Sequence, residues 1–382
     1  MIGCGGLFGV LMKSAGTTEL NAFYPIRPEC QADVPAPRFK PRAGKTLSQR
    51  RWLASFSADG HLDIAKVLRR IQRGGVHPSI KGEVWEFLLG CYDPNSTLEE
   101  RNELKQRRRG QYDMWKAECQ RMVPVIGSGK FITTPLIDDD GQIIDPSLGT
   151  VQTSDKKVLQ WLQLLHQIGM NDICSPIIIL IENEADCYWC FDRAMRRMRE
   201  NFRCSASSMG VQSQLATLSQ IIKTVDPKLH HHLEDLDGGE YLFAFRMLMV
   251  LFRREFSFAD TLYLWELMWG MEYNPNIFIN YEDPDSKTRG TSPANDKVLK
   301  QYGKFERKNV KTGYTEEHSA LAVFLVASVL EIKNRRILNE AKGVDDVVKI
   351  LGDITSNLDA KKACTEALKI QKKYLSKMCE GW

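Results

Sequence analysis

Helical periodicity dominates the sequence from Ser48 onward, and the strict alternation of a half-buried strand is nowhere sustained. The first clear helix has apolar residues at Leu62, Ala65, Leu68 and Ile71, and the glycines at 74 and 75 end it. Ser175 and Pro176 match the cap and first turn of a helix that continues to residue 198. Further helices are predicted over 80–90, 211–225, 240–252, 259–271, 317–338 and 360–378. The sequence therefore predicts an all-α fold.

Three polar stretches divide this helical pattern. Residues 1–47 carry Gly, Pro and small polar residues without periodicity, so we expect a disordered N-terminal tail. Two stretches rich in Gly, Pro, Asp and Ser, near 127–155 and 281–315, are predicted to be long loops. Outside these three stretches, almost every segment is predicted to be helical.

Composition limits the classes of function. A net charge of +4, with both signs interspersed, gives no indication of a nucleic-acid partner. The longest apolar run, 321–330, is about half of the roughly 20 residues that a membrane span needs. Ten cysteines without framework spacing favour a reducing compartment and free thiols. We therefore expect a cytoplasmic protein without a transmembrane segment.

Several short motifs carry no convincing chemistry. The stretch 127–130, GSGK, lacks phosphate-loop spacing and is predicted to be a turn. Three successive histidines, 230–232, point in different directions on a helix, so a solvated helix end is favoured over a metal site. Cys187 and Cys190 lie in a helix beside aromatic residues, which favours core packing over zinc or redox chemistry. The sequence predicts no metal site and no cofactor of its own.

One helix concentrates arginine. Residues 193–203, RAMRRMRENFR, carry arginines at neighbouring helical positions. The first interpretation of this stretch is a solvated basic face with ion pairs. The alternative is an electrostatic contact with an acidic partner or a membrane surface. The residues concerned are Arg193, Arg196, Arg197, Arg199 and Arg203.

A family resemblance begins at residues 73–85, RGGVHPSIKGEVW. This stretch resembles the opening motif of TBC domains, the modules that activate GTP hydrolysis by Rab small GTPases. Its Gly-Val-x-Pro turn leads into a helix with a basic residue, here Lys where Arg is more usual, and a Trp. The matching residues are Gly75, Val76, Pro78, Lys81 and Trp85.

The second half of the chain extends the resemblance. LFRREFS at 251–257 and WELMW at 265–269 are similar to segments of the later half of a TBC domain. The resemblance covers about residues 50–340 and so implies a TBC-like helical domain over 48–340, followed by C-terminal helices over 341–382. It implies an arginine finger in a motif I-x-x-D-x-x-R, for the charge on the transferring phosphoryl group, and a glutamine finger in Y-x-Q-G, for the attacking water.

Neither finger motif occurs in the sequence. Ile168 and Gly169 resemble the start of the arginine motif, whereas Met170 and Asn171 begin what normally follows the glutamine motif. The resemblance thus implies an internal deletion at 169/170, which leaves the N-terminal half of a TBC-like domain incomplete. Loss of the deleted segment should expose apolar faces on neighbouring helices. The first half of the domain is therefore expected to be loosely folded.

The resemblance implies a Rab GTPase as the partner, with GTP and magnesium bound by that partner. Catalysis is expected to be strongly impaired, because an arginine finger is worth about 10³ to 10⁵ in rate. A non-catalytic Rab-binding or scaffold protein, or a non-functional isoform, are the alternatives. A role in vesicle trafficking, with peripheral association to endomembranes through the partner, completes the expectation.

Overall fold

The computed structural model describes residues 37–126, 169–202, 210–282, 296–312, 320–352 and 358–380. It also describes a two-stranded antiparallel ladder of Leu136–Ile137 with Ile143–Ile144. The helices are α1 Gln49–Leu53, α2 Ile64–Gly74, α3 Lys81–Leu88, α4 Leu98–Ile126, α5 169–180, α6 Glu184–Met198, α7 Gly210–Val225, α8 Pro227–Asp235, α9 Phe245–Met249, α10 Phe258–Met271, α11 Ile277–Glu282, α12 Asp296–Leu299, α13 Lys304–Thr312, α14 Leu321–Glu340, α15 Val344–Gly352 and α16 Ala360–Glu380. Short 3₁₀ turns occur at Pro78–Ile80, Arg199–Phe202 and Leu242–Ala244.

The all-α prediction is confirmed. Helix α10 lies at the centre of the core, because every residue from Ala259 to Met271 is buried. Such a helix is apolar on all sides and must be surrounded by others. It packs against α2 and α3 from the first part of the chain and against α13 and α16 from the last. One core therefore joins the first and the last described helices.

Helix α14 accounts for the longest apolar run. Its residues 321–330 are all buried, and the helix packs on α7, α15 and α16. Among the described residues, no helix is long and apolar enough to cross a membrane. The apolar run is core material.

The predicted disordered tail is wrong in its last part. Residues 1–36 lie outside the described residues, but 37–47 pack on the core. The ring of Phe39 stacks on Tyr263 at 4.5 Å, and its backbone N–H donates to the Asp260 carboxylate at 2.6 Å. Leu47, fully buried, pairs with Val76 in an isolated parallel bridge. Apolar anchors spaced too widely to form a periodic pattern hold this extended segment.

The second predicted loop is also corrected in part. Helices α11, α12 and α13 fall in or overlap the range 281–315, and Phe305 on α13 is buried against Phe324 of α14. Much of the first predicted loop, near 127–155, lies outside the described residues, as does the GSGK stretch. Short polar helices with one apolar anchor give too little periodicity to be recognised from sequence.

The first half of the described chain is not loosely folded. Trp52 on α1, Ile71 on α2 and Trp85 on α3 are each at most 2% exposed and belong to the same core cluster as α10 and α16. Helices α2 and α3 pack on α10 of the second half, whereas the Trp52 ring contacts Phe56 and Phe87 of the first half. The expectation of a poorly packed first half is therefore wrong for these helices.

Candidate functional site

The turn at Gly75 requires glycine for two reasons. Its φ is +68°, which L-residues with a side chain rarely adopt. A Cβ placed there would lie 2.6 Å from the ring of Tyr263 and 2.9 Å from that of Phe39. Pro78 then opens a 3₁₀ turn, capped by the His77 side chain, and α3 begins at Lys81. The motif therefore forms a turn that leads the backbone into the start of α3.

A buried ion pair fastens this motif to α10. The Lys81 ammonium donates to Oε1 of Glu266, and the two side chains are 1% and 0% exposed. Glu266 also accepts from the Trp85 indole at 3.2 Å and, through Oε2, from the backbone N–H of Val76 at 3.1 Å. All the polar partners of Glu266 thus come from the opening motif.

Burial works against both charges of the pair. Desolvation lowers the pKa of Lys81 and raises that of Glu266, while their mutual attraction and hydrogen bonds oppose each shift. Two buried charges that satisfy each other hold helices in a fixed arrangement without being available to a substrate. Gly75, Val76, Pro78, Lys81 and Trp85 therefore form a structural unit. Glu266 was missed, although an acidic residue among apolar and aromatic neighbours in a helix is a signal of buried pairing.

The predicted junction lies at the described start of α5. Ile168 lies outside the described residues, while Gly169, Met170 and Asn171 are helical. Gly169 is packed, since a Cβ there would lie 3.1 Å from the ring of Phe202. The predicted helix start at Ser175 and Pro176 is wrong, because the helix is already formed at 169 and Pro176 lies inside it.

Helix α5 is held on the core by one of its sides. Ile173 and Ile177 are 1% and 0% exposed, and Asp172 accepts from Nε and Nη2 of Arg254 at 3.0 and 2.8 Å. The opposite side faces solvent and carries apolar residues, with Ile178 and Ile179 exposed by 47% and 50%. Met170, in the first described turn, is 37% exposed.

The arginines predicted to meet a partner are instead largely internal. Arg193 is 1% exposed, donates to the Glu282 carboxylate and lies 5.1 Å from the Tyr281 ring. Arg108 of α4 donates to the same carboxylate at 2.6 Å. Burial tends to raise the pKa of Glu282, but these two arginines outweigh it and lower the pKa. The interpretation of Arg193 as a surface contact is therefore wrong.

The remaining arginines have separate positions. Arg197 donates to the carbonyl of Leu88 at 2.8 Å and so ties α6 to the end of α3. Arg196 is 37% exposed and bonds Asp192 at 2.9 Å. The side chain of Arg199 and all of Arg203 lie outside what the structure describes. Arg196 has the exposed ion pair of the first interpretation, a solvated basic face. Arg193 and Arg197 instead have their partners inside the fold.

The histidine run and the cysteine pair have packing roles. The Nδ1 of His230 is 3.0 Å from the Tyr241 hydroxyl, and Nε2 of His232 is 3.1 Å from the carbonyl of Ile337. His230 is buried, which corrects the expectation of a solvated helix end. Cys187 and Cys190 are buried free thiols, as predicted. Among the described residues, no three His, Cys, Asp or Glu side chains are placed to hold a metal ion.

Comparison with known families gives one match that covers much of the chain. The family model of the Rab-GTPase-TBC domain matches residues 78–280, so the match extends across the junction at 169/170. The solved Ypt/Rab-GAP domain of Gyp1p superposes with a TM-score of 0.52 over 85% of this chain and 98% of that domain, at 16% identity. That likeness concerns the fold.

Curated relatives agree with the family match. TBC1 domain family member 17 from Homo sapiens is 29% identical over 259 residues, which are 64% of this chain and 40% of that protein. GTPase-activating protein GYP7 from Yarrowia lipolytica is 28% identical over 272 residues, 60% of this chain and 36% of that protein. The chain thus spans less than half the length of these two relatives.

A plant relative aligns over a longer stretch. Rab GTPase-activating protein 22 from Arabidopsis thaliana is 24% identical over 395 aligned positions, 66% of this chain and 71% of that protein. The alignment is longer than the 382 residues of this chain, yet it covers two thirds of them. The plant protein therefore has residues at many aligned positions where this chain has none.

Proposed function

Because the chain belongs to the Rab-GTPase-TBC domain family, we propose that it binds a Rab GTPase and that its ability to accelerate GTP hydrolysis is strongly impaired. The observation that carries the proposal is the family match over 78–280 in a sequence that contains neither finger motif. In this proposal GTP and magnesium are bound by the GTPase. Peripheral association with endomembranes through the partner belongs to the same proposal.

Two features support a deletion at 169/170. Residues 169 and 170 lie in one helix, so the chain passes the junction without the residues that would carry the two fingers. The plant relative has residues at aligned positions that this chain lacks, and the motif remnants on either side of 169/170 are the ground for placing the gap there. A finger must be an Arg or Gln free to reach the nucleotide of the partner, and α5 offers Met170, Asn171 and Ser175 on its exposed side.

Among the described residues, no arginine beside the junction is a substitute for the finger. Arg254 is the described arginine that bonds α5, and both its contacts go to the Asp172 carboxylate. A finger needs its donors for the charge on the phosphoryl group in the transition state. To act as a finger, Arg254 would first have to break its pair with Asp172, which disfavours that role. Arg121, at the end of α4, is exposed, but nothing in the structure relates it to the junction.

Single-turnover GTP hydrolysis by a panel of purified Rabs tests the proposal. The full chain is compared with a version in which the finger-bearing segment of the plant relative is inserted between Gly169 and Met170. We expect the restored version to accelerate hydrolysis and this chain to fall short of it by about 10³-fold or more, the usual value of an arginine finger.

A binding assay with the same Rabs in the GTP-bound state completes the experiment. Binding without acceleration would identify a non-catalytic Rab-binding protein, which is the scaffold alternative. Acceleration by this chain within tenfold of the restored version would refute the impaired catalysis. If neither version binds any Rab of the panel, the proposed partner is wrong.

A further inference from the structure

A cluster of basic side chains lies on the outside of the first helices. Its side chains come from the segment before α1, from α1 and from the outer side of α2. They are exposed or half-exposed. We define the basic surface as Arg42, Arg50, Lys66, Arg69, Arg70 and Arg73.

These six residues form one continuous surface. Lys66, Arg69, Arg70 and Arg73 line one shallow concavity, and Arg42 and Arg73 line a second. A third concavity is lined by Arg42 and Arg50. Since neighbouring concavities share Arg73 and Arg42, the positive charge runs without a break from α2 to α1.

Backbone contacts hold the three segments in place. Arg70 donates to the carbonyl of Gly44 at 3.4 Å, and Lys66 donates to that of Ala54, just after α1, at 2.7 Å. The Thr46 hydroxyl donates to the carbonyl of Gly74 at the end of α2 at 2.9 Å. The surface is therefore a fixed arrangement of charges on the folded domain.

The charge of this surface is not neutralised by the carboxylates that the structure describes. The ion pairs between described residues include none of the six. Asp260 and Asp359 line one concavity and offset part of its charge without forming an ion pair with any of the six, so the surface keeps an excess of positive charge. Elsewhere in the fold, arginines such as Arg193 and Arg254 pair with acids.

We propose that the basic surface docks directly on an anionic membrane surface, independently of any GTPase partner. Lysine and arginine near such a surface are attracted by its negative potential, and the effect is additive for several side chains within about a Debye length. Leu53 lies one helical turn after Arg50 on α1 and is 61% exposed. It provides an apolar side chain that can enter the interface beside the charges.

Nucleic acid fits the surface less well. Proteins that bind single strands combine positive charge with aromatic side chains on which bases stack. Among the described residues, the large exposed aromatics are Trp115 and Tyr188, which lie on α4 and α6 and not on this surface. A lipid headgroup layer needs only charge and an apolar side chain, and both are present.

Vesicle co-sedimentation of the full chain tests the proposal. The probes are phosphatidylcholine vesicles with and without 30 mol% phosphatidylserine. The variant is Arg42→Gln/Arg69→Gln/Arg73→Gln, and the matched control is Lys342→Gln/Lys349→Gln/Lys372→Gln, which removes three exposed charges from α15, α16 and the turn before α15. Urea unfolding of each protein verifies that the variants are folded.

We expect binding that requires phosphatidylserine and weakens as salt is raised. At about 1 kcal/mol for each side chain, the variant should lower the partition coefficient about 100-fold, and the control should change it about twofold or less. Equal loss in variant and control, or binding independent of phosphatidylserine, would overturn the proposal. So would tighter binding to a single-stranded RNA oligomer or to polyglutamate at the same ionic strength, which would assign the surface to a different partner.

Discussion

At the scale of single residues, substitution of the Lys81–Glu266 pair tests whether the opening motif is a structural unit. Lys81→Met should lower the free energy of unfolding by about 3–5 kcal/mol, because it leaves an unpaired buried carboxylate. Lys81→Met/Glu266→Gln should lose less, since the Gln oxygen can still accept from the Trp85 indole or the Val76 N–H. Urea unfolding measures both. A double variant as unstable as the single one would mean that the pair does not act as argued.

Glu86, the second residue-scale case, gives a pH dependence. Burial raises its pKa to about 7, with Asp186 and Glu83 adding to the shift and Lys105 and Arg109 opposing it. The folded state therefore binds this proton more tightly than the unfolded state. Its contribution to stability is present below about pH 4.5 and is lost as pH rises through about 7.

Glu86→Gln should remove that dependence. At 1.36 kcal/mol per pKa unit, the stability of the wild type should fall relative to the variant by up to about 3 kcal/mol between pH 4.5 and pH 8. Urea unfolding at pH 5 and pH 8 measures the difference. Glu103→Gln, an exposed carboxylate on α4, is the control and should follow the wild type. Parallel curves for wild type and Glu86→Gln would show that Glu86 does not titrate in this range.

At the scale of elements, the orientation of α5 is the feature to test. Ile177→Ala should lower the free energy of unfolding by about 2–4 kcal/mol, because its side chain is 0% exposed. Ile179→Ala makes the same chemical change on the same helix, at a side chain that is 50% exposed. It should cost about 0.5 kcal/mol or less. Comparable losses at both positions would show that the exposed side of α5 is covered in solution.

Elements also show what sequence could and could not predict. The apolar patterns of α10 and α14 and the glycine turn before α3 are local signals, and their helices and turn were predicted. The burial of Arg193 depends on its contact with Glu282, which is 89 positions away. A local sequence pattern does not indicate a partner at such a distance. Pro176 was predicted to start a helix, because proline favours the first turn. That rule takes no account of Ile173, which is buried and packs the earlier part of α5 on the core. The deletion at 169/170 stays a prediction from the sequence, since it depends on residues that the chain does not have.

At the scale of the whole molecule, the single core predicts that both ends of the chain unfold together. Ala367 on α16 is fully buried, and α16 packs on α10, which in turn packs on α2. Ala367→Asp places a charge in that core and should lower the stability by several kcal/mol. If the described helices are one cooperative unit, hydrogen exchange of slow amides in α2, residues 64–74, should accelerate as much as exchange in α16. The matched control Lys369→Asp, exposed on the same helix, should leave both unchanged. Acceleration confined to α16 would mean that the first half of the domain is a separate unit, as the missing segment had led us to expect.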